Sequence, residues 1–192
     1  MDATDRRPPK ATMLLHGLPG HPLHPPLTDA TIGMFVLATG LAVLGALGAI
    51  EDAAGKACWL ALVGGLIVAV PTAGTGFADW IRLDWGSARW RAATQHLTAM
   101  VCSVALFAVA AWLQHRGYER GDVTTGGLAF SVAGLIALTA GGWLGGALVF
   151  VHGVRVLAAD DAPAGADGDA GAARNGSIAD RAPVRTTTRS RR

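Results

Sequence analysis

The stretch VTTGGLAFSVAGLIALTAGGWLGGALVFV, residues 123–151, contains no charged residue. A bilayer core about 30 Å thick needs about 20 apolar residues in a helix that rises 1.5 Å per residue, and this stretch exceeds that minimum. Charged residues make up 16% of the whole chain, which is well below the roughly 25% typical of soluble domains. The stretch therefore predicts a helix that spans a membrane.

Three further segments lack charge, at residues 30–50, 57–78 and 97–113. The third is shorter than a full span, but the small residues 92–94 before it can extend it to the membrane interface. Helices of a soluble bundle need polar outer faces, and these runs have almost none. We therefore expect an all-α fold, an integral membrane four-helix bundle with helices at about 28–50, 57–80, 92–114 and 125–154.

The segments outside the helices differ in composition from the predicted bundle. Residues 1–27 form a polar, proline-rich lead, and the four-helix domain is expected over residues 28–156. Residues 157–192 are rich in Ala, Gly, Asp and Arg and contain few large apolar side chains. Such a segment cannot bury enough surface to fold, so we predict a disordered C-terminal tail.

Lysine and arginine are unequally divided between the two ends of the predicted bundle. If the chain crosses the membrane four times, both termini and the second loop lie on one side. That side carries the larger share of basic residues, which favours a multi-pass protein with both termini in the cytoplasm. The basic residues are Arg6, Arg7, Lys10, Arg82, Arg89, Arg91 and Arg155 on that side, and Lys56, Arg116 and Arg120 on the other.

Polar side chains gather at the same end of the predicted bundle, because odd and even helices run in opposite directions. Ionisable groups near the apolar layer are costly and commonly functional. They are His21, His24 and Asp29 at the first helix, Asp79 at the end of the second, His96 in the first turns of the third, and His152 in the last turn of the fourth.

These residues suggest a cofactor site, since neutral imidazole is the common ligand of transition metals and of haem iron. A haem held by two histidines needs them on different helices at matching depth, which His96 and His152 satisfy. His24 or His21 could join or replace one of them, and Asp79 could orient an imidazole as a second-shell acceptor. The same set would suit a zinc or copper site.

Each candidate also has a structural explanation. His152 lies at a predicted helix end, where a cation complements the helix dipole. His96 could hydrogen-bond Asp79 or a backbone carbonyl of another helix. His21 and His24 could be interfacial residues of a proline-stiffened loop, and Asp29 suits the first turn of a helix. Both explanations stay open from the residues alone.

Small residues and one proline predict details of helix packing. Two overlapping small-xxx-small pairs allow close approach of helix backbones in lipid. Pro71 lies inside the second predicted helix, where Thr72 and Thr75 could help to satisfy the carbonyl that it frees. The small-residue pairs are formed by Gly141, Gly142, Gly145 and Gly146.

Four pieces of the chain together resemble the bacterial membrane-protein family known as domain of unknown function 2231. They are HPLHPPLTDATIG (21–33), TGFADW (75–80), His96, and GGWLGGALVFVHGVRV (141–156). The resemblance covers about residues 20–156 and implies a four-helix domain of the bacterial inner membrane without an established activity. Relatives occur beside Rieske iron–sulfur domains, and the family is similar to haem-carrying b-type cytochrome subunits. The resemblance places the family's histidines on His21, His24, His96 and His152, and its acid on Asp79.

Two functions follow as hypotheses. The first is a haem- or metal-binding membrane component of electron transfer, with haem b or a transition metal as cofactor and a separate redox protein as partner. The second is a structural or partner-binding membrane module without cofactor. We expect no enzyme activity of the chain itself, since phosphate-loop, dinucleotide and nucleophile-elbow motifs are missing. We also expect no nucleic-acid binding, since the sequence has no long basic patch with interleaved aromatic residues. A proton or small-solute pathway is a weaker third hypothesis.

Overall fold

The protein is described by a computed structural model over residues 22–154, except for the side chains of Glu51 and Asp52. The described residues form four α-helices and no strand, and each helix is long and apolar enough to cross a membrane. The predicted all-α membrane fold is confirmed, and its surroundings are a lipid bilayer. The lead up to residue 21 and the predicted tail lie outside the described residues. The helices are α1 (His24–Ala46), α2 (Glu51–Trp80), α3 (Ala88–Tyr118) and α4 (Thr125–Phe150).

Three helices begin earlier than the sequence suggested, and two of these starts have a local cause. α2 begins at Glu51 instead of about residue 57. α1 begins at His24 instead of about residue 28, because the two prolines that follow occupy its first positions, where their fixed φ suits a helix. α3 begins at Ala88, where the Ser87 side chain accepts a hydrogen bond from the backbone N–H of Trp90. As a result, His24 belongs to a membrane helix and not to the lead.

Two helices end earlier than expected, each shortly before a glycine with positive φ. Gly48 has φ 76° after α1, and Gly153 has φ 61° after α4. Glycine adopts this left-handed conformation without the steric cost of a Cβ atom, and it commonly ends helices. His152 therefore lies in the turn that follows α4.

The helices form two antiparallel hairpins, α1–α2 and α3–α4, which pack side by side. α2 contacts α3 and α1 contacts α4 between the hairpins, so α1 and α3 lie on a diagonal. These two helices meet at the centre through Phe35 and Phe107, whose rings stack with centroids 4.0 Å apart and planes 8° apart. Both side chains are 0% exposed, so the stack fills the middle of the bundle.

The two hairpins repeat one pattern. Every buried position of α1 recurs as a buried position of α3, with a constant offset of 72 residues. Most buried positions of α4 recur in α2 with an offset of 69, which also aligns VGGLIV (63–68) with VAGLIA (132–137). The bundle thus consists of two related halves around an approximate twofold axis near the phenylalanine stack. The buried pairs are Thr31–Ser103, Phe35–Phe107, Ala38–Ala110, Thr39–Ala111 and Ala42–Gln114, then Cys58–Gly127, Leu62–Ser131, Gly65–Gly134, Ala69–Leu138 and Thr72–Gly141.

Replacement of Phe35 or Phe107 by alanine should lower the free energy of unfolding by about 3 kcal/mol, because each ring fills a fully buried site. The double variant should lose less than the sum of the two, since both substitutions open the same cavity. Thermal unfolding in detergent, followed by circular dichroism, measures these losses. Phe150→Ala is the control, because this ring is 88% exposed. Core variants that unfold like Phe150→Ala would contradict the central role of the stack.

Candidate functional site

The candidate site lies at one end of the bundle, which we call the histidine end. It comprises the start of α1, the end of α2, the start of α3 and the end of α4, together with the turn after α4. The sequence predicts that four side chains lie together at this end, namely His24, Asp79, His96 and His152. The contacts of each side chain decide whether they form one site or several.

His24 joins the start of α1 to α2. Its Nδ1 atom lies 3.1 Å from the carbonyl oxygen of Thr72 and 3.2 Å from the hydroxyl oxygen of Thr75. Because a carbonyl can only accept, the bond to Thr72 requires a proton on Nδ1. The imidazole also covers Gly76, where an added Cβ atom would come within 2.7 Å of the ring. The half-buried ring is therefore held by both a hydrogen bond and close packing.

Threonine hydroxyls extend the polar contact between α1 and α2. The Thr31 and Thr72 hydroxyl oxygens lie 2.9 Å apart, and both side chains are buried. The Thr75 hydroxyl donates to the Thr72 carbonyl at 2.9 Å. On α1, the Thr28 hydroxyl donates to the backbone carbonyl of His24 at 2.8 Å. The Thr31–Thr72 contact helps to join α1 to α2 in lipid, where apolar burial contributes little, whereas the Thr28 and Thr75 bonds lie within their own helices.

His96 makes the equivalent contact in the second hairpin. Its Nδ1 atom lies 2.8 Å from the carbonyl oxygen of Gly141 on α4. The ring covers Gly145, where an added Cβ atom would come within 3.0 Å of it. Under the offsets of the repeat, these residues correspond to His24, Thr72 and Gly76. We call this arrangement, an imidazole bonded to a carbonyl and packed on a glycine of the neighbouring helix, a histidine clasp.

The two clasps lie at matching depth. Each histidine precedes its central phenylalanine, Phe35 or Phe107, by eleven residues, which is about 16 Å along a helix. α1 and α3 run in the same direction, so both imidazoles lie on the same side of the phenylalanine stack. The His24 ring, however, packs on α2 and the His96 ring on α4. The clasps are thus two separate interhelical contacts.

The other predicted site residues take different positions. Asp29 is exposed on α1, and Asp79 is half-buried one residue before the end of α2. His152 is half-buried in the turn after α4, where its backbone N–H donates to the Ala147 carbonyl at 3.1 Å. His21 lies outside the described residues. The structure therefore brings His24 and His96 to equivalent places but spreads the remaining candidates over this end.

The predicted cofactors differ in how many protein ligands they need. Within residues 22–154, no group of three or more His, Cys, Asp or Glu side chains is arranged to hold a metal ion. Zinc and copper sites usually need three or four protein ligands, so the described donors do not fit them. Haem iron needs at most two axial ligands from the protein, and two imidazoles at matching depth meet that number.

The four predicted packing glycines divide into two pairs. Gly141 and Gly145 face α3, where added Cβ atoms would meet Met100 and His96. Gly142 and Gly146 have nothing within 4 Å and face outward. Trp143, beside the outward pair, is 82% exposed and lies away from both helix ends. One small-residue pair thus serves packing inside the bundle, and the other lies on its outer surface.

Sequence reasoning missed the role of Thr72 and Thr75 as partners of His24. It assigned these threonines to the repair of the helix after Pro71, and the Thr75 hydroxyl does contact the Pro71 carbonyl at 3.1 Å. The overlooked signal was the repeat between the halves of the chain. Alignment of VGGLIV with VAGLIA places the segment after Pro71 opposite the segment that begins at Gly141.

The protein consists of four apolar helices in two related hairpins, and histidine side chains form contacts between the helices. These features define an integral membrane protein of the four-helix class. The chain belongs to the family described as a predicted membrane protein, DUF2231, whose model matches residues 20–158. Comparison with curated proteins and with solved structures gave no match. The family and the environment are therefore established, whereas the activity has to be argued from the site.

Valine at Gly76 or Gly145 should lower the midpoint of thermal unfolding, because the new side chain collides with a clasp imidazole. Valine at Gly74 or Gly146 is the matched control, since neither position has a neighbour within 4 Å. All four substitutions change helix propensity alike, so the difference between the pairs isolates the clasp. Equal midpoints for the two pairs would show that the clasps do not stabilise the bundle.

Proposed function

We propose that this chain is a structural membrane module without cofactor, and that its interior histidines fasten the fold. The observation that carries this proposal is the duplicated clasp, in which His24 and His96 make the same contact in both hairpins. Because the clasp occurs in both hairpins, its simplest explanation is a requirement that both hairpins share. Both hairpins need a bond that holds their helices together.

Bilayer physics supports this role. Apolar burial does not drive helix association in lipid, so close packing and interhelical hydrogen bonds take over. A buried polar group without a partner is costly, and both imidazoles have a backbone acceptor on the adjacent helix. Each ring also packs on a glycine, which brings the two backbones close. The clasps thus account for two of the four candidate histidines without a cofactor.

A second candidate function, a haem-binding component of electron transfer, is supported by the same bonds. A hydrogen bond from Nδ1–H to a carbonyl fixes the tautomer in which Nε2 carries the lone pair, as in many ligating histidines. His24 and His96 both show this bond, on diagonal helices at matching depth. If bound, haem would supply one-electron chemistry, and His24 and His96 would supply imidazole ligands in a low-dielectric interior. A separate redox protein would be the partner.

Asparagine and alanine substitutions distinguish the two functions. The side-chain N–H of asparagine lies close to the position of Nδ1–H, so His24→Asn and His96→Asn keep the donor and lose the ligand. For a structural role, His24→Ala and His96→Ala should lower the midpoint of thermal unfolding, and the asparagine variants should recover most of the loss. A net interhelical hydrogen bond is worth about 1 kcal/mol, which sets the expected size.

The same protein samples test for the cofactor. Reduced-minus-oxidised absorption spectra and metal analysis are recorded on protein purified in detergent from haem-replete cells. The structural proposal expects flat difference spectra and no stoichiometric metal. A haem spectrum in the wild-type protein that both the alanine and the asparagine variants abolish would overturn it and establish the second function.

We also infer that the histidine end faces the cytoplasm of a bacterial cell, with the protein in the inner membrane. The inference is supported by the excess of basic residues on that side, which include Arg82 in the loop between α2 and α3 and Arg89 and Arg91 in the first turn of α3. A reporter that is active only in the cytoplasm should be active when fused after α4. The matched fusion, after Arg120 in the loop between α3 and α4, should be inactive. The reverse pattern would contradict the orientation.

A further inference from the structure

An open cavity of about 440 Å³ lies at the loop between α2 and α3, at the histidine end of the bundle. It is separate from both clasps, and neither candidate function uses it. We propose that this cavity binds the phosphate headgroup of an anionic phospholipid. The cavity is lined by Arg82, Leu83, Asp84, Ser87, Ala88 and Arg89, and we call it the arginine cavity.

Charge in the arginine cavity favours an anion. Arg82 and Arg89 are exposed, and neither pairs with a carboxylate of the described residues. Asp84 is the one acid in the lining, so the two guanidinium groups leave a net positive charge. Arg91 does not compete for the same ligand, because its guanidinium donates to the Gly86 carbonyl. Planar guanidinium groups match the geometry of phosphate oxygens.

Tryptophans place this cavity at the level of lipid headgroups. Trp85 is 81% exposed and its ring lies 4.2 Å from that of Trp90, which in turn lies 6.0 Å from the ring of Trp80. The Trp80 indole N–H donates to the Thr94 hydroxyl at 2.9 Å, which ties the cluster to α3. Tryptophan is enriched at the membrane–water interface. Arg82 and Arg89, which pair with no carboxylate of the described residues, lie beside this cluster and can meet lipid phosphates, since basic pockets at a membrane surface bind anionic headgroups.

The opposite end of the bundle offers a contrast. Arg120 is already paired with the Asp122 carboxylate at 2.9 Å, and the Arg116 guanidinium lies over the Trp112 ring at 5.1 Å. Both ends thus have arginines near tryptophans, but only the arginine cavity places two unpaired guanidinium groups around one space among the described residues. Arg116 is for this reason the matched control for Arg82 and Arg89.

The test uses the full-length protein in nanodiscs of phosphatidylcholine mixed with phosphatidylglycerol. Native mass spectrometry after release from the discs gives the ratio of retained anionic to zwitterionic lipid. The wild-type protein should retain phosphatidylglycerol preferentially. The double variant Arg82→Gln/Arg89→Gln should lose about tenfold or more of that preference, because two charges near an anionic surface are removed. Arg116→Gln should retain it.

Two further arms keep the result interpretable. The variant Arg82→Lys/Arg89→Lys keeps the charge and should keep most of the preference, which separates loss of binding from loss of the fold. Excess inorganic phosphate should not displace the retained lipid. The proposal is overturned if the wild-type protein shows no preference, if Arg116→Gln loses as much as the double glutamine variant, or if inorganic phosphate displaces the lipid.

Discussion

Close contact between a side chain on one helix and a glycine on the next is the interaction on which this bundle depends. Helices in lipid gain little from burial of apolar surface, so packing and hydrogen bonds must hold them together. In each hairpin, one phenylalanine and one histidine of the first helix lie over glycines of the second. The phenylalanines then join the hairpins through their stacked rings. The pairs are Phe35–Gly65, His24–Gly76, Phe107–Gly134 and His96–Gly145.

The two halves differ most in where they keep polar side chains. Gln114 of α3 is 0% exposed, and its counterpart in α1 is Ala42. The Gln114 amide donates to the Asp122 carbonyl at 2.7 Å and accepts from the Thr124 backbone N–H at 3.0 Å, which closes the loop between α3 and α4. The first hairpin instead concentrates hydroxyls at the histidine end. Each half has thus kept its own polar network at an opposite end of the bundle.

The sequence predicts the membrane spans, but it does not predict which face of each helix points into the bundle. Residues 123–151 predict a membrane span because this run without charged residues is long enough to cross the bilayer core. Topology alone also placed His24 and His96 at one end. The neighbour of each imidazole did not follow, because a helix that is apolar all round has no amphipathic stripe to show which face turns inward. Both a carboxylate and a carbonyl were open as partners of His96, and the structure shows the Gly141 carbonyl.

The repeat separates features that hold the fold from features specific to one half. The clasp occurs in both hairpins, so fastening is a sufficient explanation for it. Under the offset of 69 residues, Asp79 of α2 corresponds to Leu148 of α4, and Thr75 corresponds to Leu144. The half-buried Asp79 carboxyl group and the Thr75 hydroxyl thus occur in the first hairpin and have no counterpart in the second. Since the second hairpin packs without them, packing alone does not explain these two side chains.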